Sequence, residues 1–237
     1  MRADQYKAMY EHEDTHWWFL AKRDFITSLL PKPQQNLKIL DVGAGTGGMS
    51  VFLGAWGKVL AVENSKYAIP YLKKRGVDYI KSSVEMCSFK PDSFDLICAF
   101  DVLYHKSIHN DEQLIHKFRS WLKPGGMLCV TDCAVPSLFS HHDQVMHARK
   151  RYKHSELVSI ILKAKLNIQK ATYIYFFTFP LFILVRLIDK YIPLNTVAKV
   201  PAPINTLLLF LCFLESKLLP YLNFPIGSSI LVVAVKQ

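Results

Sequence analysis

From Leu37 to Asp132, short apolar runs alternate with stretches that carry apolar residues at helical spacing, and this alternation sets the reading of the chain. Leu37 to Val42 predicts a buried strand, followed by a glycine-rich turn and a helix from Thr46 to Ala55. Val59 to Val62 predicts a second strand, Tyr67 to Lys74 a helix, and Val77 to Lys81 a third strand. Phe94 to Phe100 predicts a fourth, Asn110 to Leu122 an amphipathic helix, and Met127 to Asp132 a fifth. A helix over Ser155 to Lys165 and strands over Ile168 to Tyr175 and Ser229 to Val235 complete the pattern. Strands and helices in alternation predict an α/β fold: a seven-stranded, mostly parallel sheet with helices on both faces.

Two regions depart from the alternation. Residues 1–33 mix charges and aromatics at helical spacing and close on Pro31-Lys32-Pro33, which predicts a helical lid. Residues 34–176 are the core, residues 177–227 an apolar helical insertion, and residues 228–237 the returning last strand. The longest uncharged stretch of the insertion, Tyr173 to Val185, is interrupted by Pro180 and ended by Arg186, whereas a membrane span needs about 20 apolar residues. Buried or interfacial helices are therefore expected. Three readings stay open for them: extra core, a homodimer interface, or a wall for a long apolar substrate at a membrane surface.

Charge changes the picture only in part. The 29 Lys and Arg against 19 Asp and Glu give +10, which admits nucleic acid, an anionic membrane or an acidic substrate. The densest basic run, Arg149-Lys150-Arg151-Tyr152-Lys153, lacks interleaved aromatics at regular spacing, so nucleic acid is not expected as a partner. Five cysteines without a CxxC pair point to reduced thiols. With no apolar run among the first residues, a cytoplasmic location, with or without membrane association, is the expectation.

The chemistry concentrates at Asp41-Val42-Gly43-Ala44-Gly45-Thr46-Gly47-Gly48, which follows a strand and opens a helix. Its glycines allow a tight turn and bring a ligand against backbone amides. Glu63 ends the second strand, where a carboxylate can accept from two ribose hydroxyls. Gly43, Gly45 and Gly48 also satisfy GxGxxG, so a dinucleotide stays open on these residues alone. Asp41 shifts the balance, since its charge opposes a pyrophosphate and suits a ligand bearing a sulfonium and an ammonium.

Leu40-Asp41-Val42-Gly43-Ala44-Gly45-Thr46-Gly47 resembles the first motif of class I S-adenosylmethionine-dependent methyltransferases. Ser82-Ser83-Val84-Glu85, Ser93-Phe94-Asp95-Leu96-Ile97, Asp101-Val102-Leu103-Tyr104-His105 and Leu122-Lys123-Pro124-Gly125-Gly126 continue the match in order. The resemblance implies a Rossmann-like fold. It also implies that Asp41, Gly43, Ala44, Gly45, Glu63, Asn64, Ser83, Val84, Phe100 and Asp101 hold S-adenosyl-L-methionine, with S-adenosyl-L-homocysteine as product. The family often has Asp where Ser83 stands, and a serine accepts the adenine amino group more weakly.

Methyl transfer to oxygen needs alignment and a base for the leaving proton. His105, after the fourth strand, and His142 and His147, on the segment after the fifth, are the candidates. Ser140-His141-His142-Asp143, His147 and Arg151-Tyr152 resemble a pattern in a bacterial subgroup of the family, as do His16-Trp17-Trp18-Phe19 with Arg23 and Pro225-Ile226-Gly227-Ser228-Ser229. Trp17, Trp18, Tyr104, Arg151 and Tyr152 are the candidate acceptor contacts, and no metal is expected. The expected activity is O-methylation of a small or lipid-linked hydroxyl compound. A nucleic-acid or amine N-methyltransferase, a dinucleotide oxidoreductase and a methyltransferase-like binding protein without catalysis are the rivals.

Overall fold

The computed structural model describes residues 2–33, 36–192 and 200–237. Helices α1 (Ala3–His12) and α2 (Trp17–Leu29) precede β1 (Leu37–Val42), α3 (Gly48–Leu53), β2 (Gly57–Glu63), α4 (Ile69–Lys74) and β3 (Tyr79–Lys81). Then come β4 (Phe94–Phe100), α5 (Asp111–Trp121), β5 (Leu122–Cys133), α6 (His141–Val145), α7 (His154–Lys163) and β6 (Leu166–Ile174). Helices α8 (Phe179–Asp189) and α9 (Ala202–Leu218) intervene before β7 (Ser229–Lys236). One sheet results, in the order β3-β2-β1-β4-β5-β7-β6, parallel except that β7 runs against both its neighbours. The order reverses between β1 and β4, which is where open α/β sheets bind ligands.

The two-residue period of the strands sorts their side chains into two cores. Leu40, Val42, Ile97, Ala99, Val130 and Val232 meet α5 and α7 through Leu114, Phe118 and Ile161. Ile39, Leu96, Cys98, Cys129 and Leu231 meet Phe25 and Ile26 of α2, Leu53 and Cys212. Each fully buried large side chain removes about 1.5–3 kcal/mol of apolar surface cost from water. Because both faces of the central strands are covered, those strands read as continuous apolar runs.

Local departures from the expected boundaries have local causes. Gly47 takes φ +88°, so α3 starts at Gly48 rather than Thr46. β5 begins at Leu122, five residues before Met127, pairing with Phe94 across an irregularity in register. Helix α6 was not expected at all, although Ser140 and Asp143 form its capping box.

The extra-core reading of the insertion fails, since α8 turns Arg186 and Asp189 inward and leaves Leu184, Leu187 and Ile188 at 40–55% exposure. Helix α9 buries Glu215 and Ser216 while Leu207, Phe210 and Leu214 stay exposed. No helix among the described residues is long and apolar enough to cross a membrane.

Lid, core and insertion meet at Tyr175. This residue leaves β6 at φ +64°, a costly conformation for a bulky side chain. Its buried ring stacks on Trp18, meets Trp17 and Phe25 edge to face, and its hydroxyl donates to the Trp18 carbonyl at 2.7 Å. Tyr175→Phe removes this bond while the Trp18 carbonyl keeps its helical one, and is expected to cost about 0.5–1.5 kcal/mol, which for a domain of this size lowers the melting temperature by about 2–4 °C per kcal/mol in calorimetry.

Candidate active site

A cavity of about 770 Å³ opens at the carboxyl ends of β1, β2 and β4, between the lid and the insertion. At one end lies the glycine turn. Gly43 adopts φ +67°, and a Cβ there would stand 2.6 Å from Val102 Cγ2, so only glycine lets the turn close against the segment after β4. Around it the chain gathers four carboxylates into the cavity wall: Glu13, Asp41, Glu63 and Asp101.

Glu63 is held by two amides, accepting from Gly45 N–H and Ser65 N–H at 2.8 Å each. Burial raises its pKa, and these amides oppose that rise. Each oxygen keeps a lone pair for a ligand. Asp41 is 2% exposed and accepts from the Ser50 hydroxyl at 2.5 Å. Its pKa is pushed up to about 7, first by burial and further by Glu63 and Glu13.

Sequence reasoning missed Glu13. It reaches from the lid to accept from Thr46 Oγ1 at 2.7 Å and Arg75 at 2.8 Å, and its carboxylate occupies the space that a Cβ on Gly48 would need. Asp14 binds Arg75 and Arg23, so the lid is clamped to the glycine turn through charge-assisted bonds. Lys22 was missed too. Its ammonium pairs with Asp101 and lies 3.8 Å from the Trp18 ring centroid. Lys22 stands four residues after Trp18 and next to Arg23 of the first helical motif, but the partners Thr46, Arg75 and Asp101 are distant in sequence and no spacing rule reveals them.

Of the expected cofactor residues, Asp41, Gly43, Ala44, Gly45, Glu63, Asn64, Phe100 and Asp101 line this cavity. Ser83 and Val84 lie outside its lining, with Val84 buried in the core beneath. Trp17, Trp18, Tyr104 and Arg151 line it; Tyr152 does not. The Tyr152 hydroxyl instead donates to Asp111 at 2.6 Å, within a fully buried ring site.

The three histidines separate. His147 is exposed, outside the lining, with its ring stacked on His105. His105 lines the cavity and its pKa falls to about 4, chiefly through burial. Ser107 reaches its Nδ1 with both its hydroxyl, at 2.7 Å, and its amide, at 3.1 Å; with Nδ1 accepting from that amide, the neutral ring carries its proton on Nε2. His142 also lines the cavity, and burial, then Arg186, push its pKa down to about 3, so it is neutral across the physiological range. Its backbone N–H donates to Asp189 at 2.8 Å, which ties α6 to α8.

The far end of the cavity is apolar and cationic. Leu181, Phe182, Val185, Ile204 and Leu208 form its wall beside Arg151 and Arg186. Arg151 is paired with Asp143 at 2.9 Å, Arg186 lies within 3.9 Å of Asp189, and Phe182 sits between the two guanidiniums. A buried pair of this kind costs about 3–5 kcal/mol when one member is removed.

Residues 40–130 match the family model of a methyltransferase domain. Over 141 residues the chain is 26% identical to a phosphoethanolamine N-methyltransferase of Plasmodium falciparum, covering 51% of this chain and 48% of that protein. It is 30% identical over 106 residues to a sterol 24-C-methyltransferase of Candida albicans, covering 40% and 28%. The chain thus spans less than half the length of either relative. Its fold is similar, with a TM-score of 0.64 at 17% identity, to a S-adenosylmethionine-dependent methyltransferase of Thermotoga maritima described as a possible histamine N-methyltransferase, over 99% and 96% of the two chains. The chain therefore carries a methyltransferase domain and has the class I, S-adenosylmethionine-dependent methyltransferase fold.

Proposed function

We propose that this protein transfers a methyl group from S-adenosylmethionine to a hydroxyl of a small-molecule or lipid-linked acceptor, with His142 as the base. One observation carries the reading: a single cavity joins the glycine turn and its carboxylates to an apolar wall on which His142 opens. Glu13, Asp41, Glu63 and Asp101 suit a ligand bearing positive charge, and the closely approached Gly43 leaves room for it. Bound there, the cofactor supplies a methyl carbon already activated by the sulfonium.

The chain's own residues then position the acceptor and handle its proton. The apolar wall of α8 and α9 takes the acceptor's body, and Trp17 and Trp18 of the lid exclude water from the reacting end. His105 donates from Nε2 to an acceptor oxygen, and neutral His142 receives the hydroxyl proton as the oxygen–carbon bond forms and the carbon–sulfur bond breaks. An amine acceptor is the second reading, favoured by the likeness to a phosphoethanolamine N-methyltransferase.

His142→Gln is expected to lower the single-turnover rate by about 10²-fold, the low end for a positioned base because burial also weakens this one, with S-adenosylhomocysteine affinity kept, measured on acceptors bearing hydroxyls. An unchanged rate would sink the base assignment and favour the amine.

Asp41 gives a prediction of opposite signs. In the folded chain it holds its proton up to about pH 7, against an ordinary value of 3.8, so its ionisation costs stability as pH rises through that window. Asp41→Asn escapes the cost: the melting temperature of the ligand-free protein should rise more at pH 8 than at pH 5. The same change should weaken S-adenosylmethionine binding by about tenfold or more in calorimetry, since a charged partner is lost. For the unaltered protein, affinity for the cationic cofactor should increase as pH rises through about 7. Tight binding by the Asn variant, or none by the unaltered chain, would overturn the cofactor assignment.

A further inference from the structure

Helices α8 and α9 are built inside out. On α8, Phe179, Arg186 and Asp189 point inward, one to two turns apart, and on α9 Leu208, Cys212, Glu215 and Ser216 do the same. The outward positions Leu184, Leu187, Ile188, Leu207, Phe210 and Leu214 are 40–57% exposed. Tyr191, Tyr221 and Leu222 extend this surface at 50–87% exposure. Both helices line the same cavity, and so much apolar surface exposed on them marks an interaction site.

Charge says what covers it. The acids of α8 and α9, Asp189 and Glu215, are 1% and 0% exposed, while Lys190 and Lys217 at the helix ends are exposed. Lys190 donates to the Ser137 carbonyl, and Lys217 faces the half-buried Asp24 of α2. The charges that α8 and α9 expose are thus of one sign, and lysines at the edge of an apolar face can extend toward anionic headgroups. The α8 and α9 of a second copy would offer these lysines no exposed acid across the same face.

The cavity adds a third observation. Leu181 and Ile204 belong both to its wall and to the exposed apolar surface, at 43% and 48% exposure. The cavity mouth therefore opens within the apolar face itself.

We infer that the α8–α9 face docks on the interface of an anionic lipid bilayer, lying in its plane rather than spanning it, and that the cavity receives its acceptor from that interface. The docking serves the lipid-linked acceptor proposed for this site but is measured without any acceptor or methyl transfer. Apolar side chains would enter the headgroup–acyl boundary by about 5–10 Å.

The test is co-sedimentation of the full chain with vesicles of phosphatidylcholine alone and of phosphatidylcholine mixed with phosphatidylglycerol, with S-adenosylhomocysteine titration as the check of folding. Binding should be strong only to the anionic vesicles. Leu184→Glu with Phe210→Glu, two exposed positions outside the cavity, should abolish it and leave S-adenosylhomocysteine affinity unchanged. Lys190→Gln and Lys217→Gln should each weaken it roughly fivefold at low salt. Absence of vesicle binding by a chain that binds S-adenosylhomocysteine overturns the inference and leaves the methyltransferase reading intact. Equal binding to both vesicles overturns the role given to the lysines. A dimer in sedimentation velocity that the Leu184→Glu and Phe210→Glu variant dissociates, with vesicle binding unchanged, assigns the face to a second copy instead.

Discussion

Three carboxylates held out of water around one glycine turn are the constraint on which the arrangement depends. Burial raises the pKa of Glu13, Asp41 and Glu63 alike, and Glu13 and Glu63 each raise Asp41 further. Each is offset by a different device: Thr46 and Arg75 for Glu13, the Ser50 hydroxyl for Asp41, and two backbone amides for Glu63. Uncompensated, such groups would neutralise or force the turn open. The partial compensation leaves an end of the cavity that favours positive charge, which ties the stability of the free chain to its proposed cofactor. Sites that store unfavourable electrostatics in this way are where activity and stability oppose one another.

The lid is part of this balance rather than an accessory to it. Glu13 and Asp14 sit at the junction of α1 and α2, so the acid that crowds Asp41 also fixes the lid through Arg75 and Arg23. On the opposite side, Asn205 of α9 accepts from Trp17 N–H and donates to the Thr15 carbonyl. One short segment between the first two helices is therefore anchored both to the glycine turn and to the insertion. The two walls of the cavity are mechanically joined through it.

The sheet was legible because its strands are apolar runs bounded by polar residues; Phe94 to Phe100 has the expected limits because Ser93 and Asp101 flank it. The turn was legible because glycine at a close approach has no substitute, as Gly43 against Val102 shows. Helix α6 carried a signal that went unread, Ser140 three residues before Asp143. Glu13 and Lys22 carried none for their partners, Thr46 and Asp101, which lie 33 and 79 residues away and which only the folded chain brings near. His105 illustrates the limit well: its place beside β4 could be read, but its tautomer depends on Ser107, whose amide and hydroxyl both reach Nδ1.

Of the three readings open for the insertion, extra core fails for a different reason: the informative residues are not its apolar ones but its few polar ones. Arg186 and Asp189 are three apart, and Glu215 follows Cys212 at the same spacing, so the polar residues share a helical face with buried neighbours. A helix that turns its charges inward needs partners there, and the core supplies them: Ser140 for Arg186, the His142 amide for Asp189 and the Phe177 amide for Glu215. These contacts fix the rotation of both helices, and the apolar residues are then committed to the outside whatever their own preference. The exposed face is in this sense a consequence of the polar contacts that build the cavity wall, so the same inward residues that shape the cavity also determine which surface the protein presents around its mouth.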